Sequence, residues 1–125
     1  MKKILVVDDD ADVAKLLKSK LEAANRYTVV SAVGGRVGVA LAQSEHPDLV
    51  LCDIDMPDMD GGEVANVMAT KDATKNTPII FLSSLISSEE EQKGAKAGRW
   101  PVVSKESPVQ ALIKRIDQTL GIFGA

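Results

Sequence analysis

Ile4-Leu5-Val6-Val7-Asp8-Asp9 sets a four-residue apolar run against two carboxylates, and the same pattern returns along the chain. Leu49-Val50-Leu51-Cys52 is closed by Asp53, Ile79-Ile80-Phe81-Leu82 by Ser83, and Val102-Val103 leads through Ser104 to Lys105. Short apolar runs parted by helix-length segments read as buried parallel strands, because a strand covered on both faces shows no polar alternation. In an open parallel sheet, ligands sit beyond the carboxyl ends of the strands. The chain therefore aims three carboxylates, a hydroxyl and an ammonium at one edge.

The segments between these runs carry helix signals. After a first strand near Lys3 to Val7, Asp10 is placed to cap a helix over Asp12 to Ala24, with Val13, Leu16, Leu17 and Leu21 as its apolar stripe. Tyr27 to Ala32 is β-branched enough for a second strand, broken by Gly34-Gly35. A helix over Arg36 to Gln43 uses Val37, Ala40 and Leu41, and Pro47 bars its continuation. The third strand, Leu49 to Cys52, leads into a loop rich in Asp, Met, Pro and Gly and a helix over Gly62 to Thr70. The fourth strand, Ile79 to Leu82, precedes a helix from Ser87 or Ser88 that Glu89-Glu90-Glu91 favours at its first turn and Gly98 ends. Pro101 to Ser104 reads as a short fifth strand, and Pro108 opens a last helix to Leu120. Gly121 follows, and residues 121–125 show no helical continuation. Five strands alternating with five helices give a three-layer α/β sandwich, doubly wound because crossovers are right-handed.

At 125 residues the chain fits one domain able to bury a core without staples. Its 45% apolar and 26% charged residues are ordinary for a soluble globular protein. Net charge is -3 with basic residues scattered, which argues against direct binding of nucleic acid. The first apolar run is too short for a signal peptide or a membrane span, so a cytoplasmic, protein-facing domain is expected. Cys52 has no internal partner for a disulfide and is expected to be a small buried hydrophobe.

Asp8, Asp9 and Asp53 would converge where the first and third strands lie side by side. Two like charges about 4 Å apart repel by roughly 4 kcal/mol at an effective dielectric near 20. Three ionised carboxylates therefore need protonation or neutralisation, and a hard divalent cation with oxygen ligands supplies it. Magnesium suits such a site because it keeps several waters and takes few carboxylates. A carboxylate beside that ion and a lysine is a nucleophile for phosphoryl groups, giving an aspartyl phosphate. Phosphoryl transfer needs mostly positioning and charge stabilisation, so this short set of groups suffices. The bland alternative is that Asp8 and Asp9 only cap the first helix and Asp53 only starts a turn.

The stretch Asp48-Leu49-Val50-Leu51-Cys52-Asp53-Ile54-Asp55-Met56-Pro57-Asp58-Met59-Asp60-Gly61 resembles the phosphoacceptor loop of two-component response-regulator receiver domains. Ile4 to Asp10 resembles their acidic strand end, Pro78 to Ser84 their hydroxyl-bearing fourth strand, and the Ser83–Gly98–Lys105 spacing is also similar. The likeness covers essentially all of residues 1–125, as one receiver domain. It implies a flavodoxin-like fold with a five-stranded parallel sheet of order 2-1-3-4-5, an order for which a chemotaxis receiver is a stock illustration. It further implies that Asp53 accepts a phosphoryl group from a histidine kinase or phosphotransfer protein. Asp9 and Asp53 would bind Mg2+ directly, Asp8 through water, and Asp55 by its backbone carbonyl. Ser83 and Lys105 would hold the phosphoryl oxygens. Phosphorylation would repack the face made by the fourth helix, fifth strand and fifth helix, where a downstream protein, a missing output domain or a second copy can dock. Such a domain catalyses at most its own phosphorylation and slow self-dephosphorylation.

The chain departs from the pattern in places. Glu106 follows Lys105 where receivers usually have proline in a cis bond, so a trans bond is expected here. Val102 stands where a moving Tyr or Phe is common, and Trp100 where polar residues are common. On this switch face, Trp100 is either a partner anchor or packed against the last helix. His46 is expected to be solvated at a helix end, and Met56 and Met59 to pack the loop. Two alternatives remain: a pseudo-receiver adaptor that binds partners without being phosphorylated, and a magnesium phosphatase using Asp53 and Asp55.

Overall fold

The computed structural model describes residues 1–121, so the tail over 122–125 lies outside the described residues. The elements run β1 (Lys2–Asp8), α1 (Ala11–Glu22), β2 (Tyr27–Val33), α2 (Gly35–Glu45), β3 (Leu49–Asp53), α3 (Gly61–Thr70), β4 (Ile79–Ser83), α4 (Ser88–Gln92), β5 (Lys96–Ala97), β6 (Trp100–Ser104) and α5 (Val109–Leu120). The sheet order is β2-β1-β3-β4-β6-β5. All pairings from β2 to β6 are parallel, and only β5 joins antiparallel. With β6 as the fifth parallel strand, this is the expected order, and the fold is flavodoxin-like.

The strands' period of two sorts their side chains cleanly between the helical layers. Ile4, Val6, Leu49, Leu51, Ile80, Leu82 and Val103 face α1 and α5, meeting Ala14, Leu21, Leu112 and Ile116. Leu5, Val7, Val50, Cys52, Ile79, Phe81 and Val102 face α2 and α3, meeting Val39, Ala42, Val64 and Met68. The sheet edge remote from the strands' carboxyl ends is closed by buried Tyr27, whose hydroxyl donates to Asp117 of α5 while Arg26 pairs with the same carboxylate at 2.6 Å.

Two helical stripes differ from expectation. On α1, Leu16 is exposed, and Ala14 with Leu21 carries the fully buried contact. On α2, Val37 and Ala40 are exposed, and the buried face is Gly35, Gly38, Val39 and Ala42, an i, i+3, i+4, i+7 set. Of the expected Val37, Ala40 and Leu41 only Leu41 packs against the core, because α2 lies on the sheet through glycine: a Cβ on Gly38 would sit 2.6 Å from Val7 Cγ1.

A third difference lies between Ser87 and Ser104. The expected helix to Gly98 stops at Gln92, after one turn, and a sixth strand follows. Gly94 and Gly98 both have positive φ, so the chain turns twice in a span too short for a helix to restart. Glycine within a helix costs about 1 kcal/mol relative to alanine, and here the left-handed conformation is used instead. Lys96-Ala97 pairs with Trp100-Pro101 in a tight hairpin. Trp100 then joins the cluster facing α3, lining a cavity with Gly62, Ala65, Asn66 and Ala69, and does not pack against α5.

The loop between β3 and α3 closes by contact with glycine. Gly61 N–H donates to the Ile54 carbonyl at 3.0 Å, and a Cβ there would lie 2.9 Å from Ile54 Cα and 2.9 Å from Phe81 Cε1. Gly61→Ala is expected to lower stability by about 1–3 kcal/mol, read as a fall in the urea midpoint. An unchanged midpoint would contradict this packing.

Candidate functional site

β1 and β3 are neighbours in the sheet, so the ends of their apolar runs bring Asp8 and Asp53 to one edge with Asp9 beside them. Each of these three residues offers a carboxylate oxygen within 4.8 Å of the others'. Asp8 and Asp53 are buried and Asp9 is exposed. The carboxylates are also tied to their own loops. Asp8 Oδ1 accepts from Asp10 N–H at 2.9 Å, and Asp53 Oδ1 from Asp55 N–H at 3.2 Å. Asp10 caps α1 as expected, accepting from Asp12 and Val13 N–H.

Lys105 reaches this pair from the loop after β6. Its Nζ lies 3.1 Å from Asp8 Oδ2 and 3.4 Å from Asp53 Oδ1, with the side chain 27% exposed. Burial lowers the ammonium's proton affinity, but the hydrogen bond and charge of Asp8 and the charge of Asp53 outweigh it, and its pKa is raised. Asp53 is pushed up to about 6, first by burial and then by the charge of Asp8, against the opposing Asp55 N–H and Lys105.

Ser83 ends β4, one residue past the Asp53–Leu82 pairing, and is registered against Ser104 of β6. Its carbonyl accepts Lys105 N–H at 2.8 Å, and its Oγ accepts from Leu85 N–H at 3.0 Å. Ser83 is thus placed between the carboxylates and the lysine loop by strand register. Among the described residues no peptide bond is cis, so Lys105–Glu106 is trans. Asp55 is exposed, Val102 is buried, and Trp100 is half-buried with the Arg99 guanidinium 4.4 Å from its ring centre. His46 is exposed at the end of α2, Met56 is buried, and Met59 packs against the core.

Three carboxylates against one ammonium leave two negative charges uncompensated when all are ionised. That deficit, with oxygen donors only, fits a hard divalent cation of the magnesium type. Such a cation would be held by Asp8, Asp9 and Asp53.

Sequence reasoning missed Asp58. Gly34 stands at the N-cap of α2 and has no side chain to cap it. Asp58, from the β3–α3 loop, supplies the cap across the fold: Oδ1 accepts Gly35 N–H at 3.1 Å and Oδ2 accepts Arg36 N–H at 3.1 Å. The partners are 22 and 23 residues apart, so no local pattern could have revealed them. Cys52, by contrast, is the expected buried hydrophobe, its thiol pushed up to about 12 by burial and then by the charge of Asp53.

The sequence pattern described as a response regulator receiver domain matches residues 4–117. Among curated relatives, the transcriptional regulatory protein ResD of Bacillus subtilis is 37% identical over 124 residues, covering 94% of this chain and 50% of that protein. The DNA-binding dual master transcriptional regulator RpaA of Synechocystis is 31% identical over 116 residues, covering 93% of this chain and 48% of that protein. The chain thus spans about half the length of these relatives. A solved structure of the chemotaxis response regulator CheY4 of Vibrio cholerae superposes with a TM-score of 0.79 at 31% identity, covering 96% of this chain and 98% of that one.

Two outcomes follow for the loops. The Arg36 and Gly35 N–H groups lower the pKa of Asp58, so its contribution to stability is present above the unfolded carboxylate value near 3.9 and is lost as pH falls through the lower folded value. Asp58→Asn is therefore expected to be less stable at neutral pH and to lose less between about pH 5 and 2 than the parent, in denaturation monitored across pH. Parallel pH curves would contradict the cap. Cys52 is expected to resist thiol-reactive dyes in the native protein and to react once urea unfolds it; rapid native labelling would place the thiol at the surface.

Proposed function

Because the chain belongs to the response-regulator receiver family, we propose that residues 1–125 form one receiver domain in which Asp53 accepts the phosphoryl group and switches protein–protein contacts. One observation carries this assignment: the buried Asp53 carboxylate lies 3.4 Å from the Lys105 ammonium, and its oxygen stands within 4.8 Å of oxygens of Asp8 and Asp9.

The step is a displacement at phosphorus. An Asp53 oxygen forms the new O–P bond while the donor's bond to phosphorus breaks, and the donor leaves with its electron pair. A phosphohistidine of a sensor kinase or phosphotransfer protein is a donor of this kind, since imidazole leaves readily once protonated. With its pKa near 6, Asp53 is mostly the ionised nucleophile at neutral pH. Lys105, already paired with Asp8 and Asp53, offers its ammonium to the phosphoryl oxygens, and Ser83 offers a hydroxyl donor from the end of β4. Mg2+, held by Asp8, Asp9 and Asp53 with the backbone carbonyl of Asp55, would offset negative charge on the transferring group. The chain's own chemistry then extends to phosphorylation and slow self-dephosphorylation.

A protein donor needs a surface to dock on. Among the described residues, the exposed large apolar side chains other than Met1 are Leu16, Val33, Val37 and Leu85. Val33 ends β2, Val37 lies in the first turn of α2 and Leu85 follows β4, which puts these three at the carboxyl edge that bears Asp53, with Leu16 in the second turn of α1. Exposed apolar groups around a charged centre suit recognition by another protein. On the output side, β6, Val102 and Trp100, α4 and α5 are the switch face for a downstream protein, an attached output domain or a second copy. No helix among the described residues is long and apolar enough to cross a membrane, and a cytoplasmic setting fits the proposed donors.

Incubation with Mg2+ and acetyl phosphate is expected to add one phosphoryl group by intact mass, with no addition to Asp53→Ala and little when Mg2+ is withheld. Modification of the Asp53→Ala protein, or none of the parent, would overturn the assignment.

A further inference from the structure

Four acidic side chains among the described residues are buried, and three have evident counterparts: Asp8 and Asp53 meet Lys105, and Asp117 meets Arg26 and Tyr27. The fourth, Glu91 of α4, has no ion-pair partner among the described residues. Its Oε1 accepts Ser104 N–H at 2.7 Å and the Ser107 hydroxyl at 2.7 Å. These two residues bracket Lys105.

The rest of that loop is held from the same side. Ser104 Oγ donates to the Ile86 carbonyl at 2.8 Å and accepts Glu106 N–H at 3.1 Å. Ser88 and Ser107 hydroxyls lie 3.3 Å apart, and Lys105 N–H donates to the Ser83 carbonyl at 2.8 Å. Glu91 is itself fixed, because Ser87 and Glu90 form a capping box at the start of α4 and Glu91 N–H donates to the Ser87 carbonyl at 3.0 Å. A buried carboxyl group is costly unless its hydrogen bonds are made, and here they are made to backbone and hydroxyl of the loop that carries the lysine. Glu106 leaves the loop without proline's restriction on φ, so its course rests on these hydrogen bonds.

We propose that Glu91 is a positioning residue for Lys105: by accepting from Ser104 and Ser107 it fixes the loop from which the ammonium reaches Asp8 and Asp53. The role of Lys105 in phosphoryl transfer rests on the function proposed above, but its placement by Glu91 does not. Because both bonds enter one oxygen, glutamine can preserve them and alanine cannot.

The test uses the full chain and reads Lys105 directly, through the nuclear magnetic resonance signals of its Cε and Nζ. In the parent and in Glu91→Gln these signals are expected to be displaced from free-lysine values by the ion pairs. In Glu91→Ala they are expected to move to free-lysine values, and in Ser107→Ala, which removes one of the two bonds, part of the way. With acetyl phosphate, the maximal phosphorylation rate of Glu91→Ala is expected to fall roughly tenfold, as for a displaced catalytic group, while the Mg2+ concentration giving half-maximal rate stays the same. Lys105 signals unchanged in folded Glu91→Ala, or in Ser107→Ala should Glu91→Ala not fold, would overturn the proposal. A parent that takes no phosphoryl group yet shows the Lys105 displacements would sink the assigned function and leave the positioning role standing.

Discussion

Two carboxylates buried side by side at the ends of β1 and β3 can persist only opposite a cation, and Lys105 is the cation the fold delivers. The demand is severe because burial and mutual repulsion act in the same direction, raising the Asp53 pKa to about 6 even with the ammonium present. It also dictates distance along the chain. Asp8 and Lys105 are 97 residues apart and meet at 3.1 Å, so every strand between them in the sheet must be in register for the pair to form. The site is therefore a readout of correct topology. A phosphoryl group on Asp53, as proposed above, would add negative charge there and give Lys105 new oxygens to pair with, a local charge change able to bias the surrounding loops.

The apolar sheet makes this arrangement affordable in conformational terms. Residues of β1, β3 and β4 are buried on both faces, and that rigidity is passed to the polar ends of the strands. The loops beyond the strand ends are braced by a few polar contacts each. Asp58 fastens the β3–α3 loop to the start of α2, Ser83 and Leu85 N–H shape the exit from β4, and Glu91 fastens the Lys105 loop to α4. The Asp58 and Glu91 braces join elements distant in sequence, whereas the Ser83 contact is local. The site is held by the sheet from below and by these ties from the sides.

Much of this was legible in the chain itself. Apolar runs of four residues ended by Asp or Ser identified β1, β3 and β4 to within a residue or two, because a strand buried on both faces leaves a sequence mark that needs no partner to be read. Convergence of Asp8, Asp9 and Asp53 followed from placing those strands in one parallel sheet. The α2 face was misjudged because packing there is made by Gly35 and Gly38, whose contribution is the absence of a side chain. The helix expected to reach Gly98 ended at Gln92 because Gly94 and Gly98 adopt positive φ, a choice composition alone does not fix.

The sequence by itself determined the layered α/β architecture and the chemical inventory at one edge, since strand burial and strand ends are local properties of residue type and spacing. Only the tertiary structure decided which groups meet: that Lys105 bridges Asp8 and Asp53, that Asp58 caps a helix it does not belong to, that Trp100 turns toward α3, and that Glu91 holds the lysine loop. Those contacts join positions separated by the winding of the whole sheet, and hydrogen bonds and ion pairs depend on ångström distances that no spacing along a chain encodes.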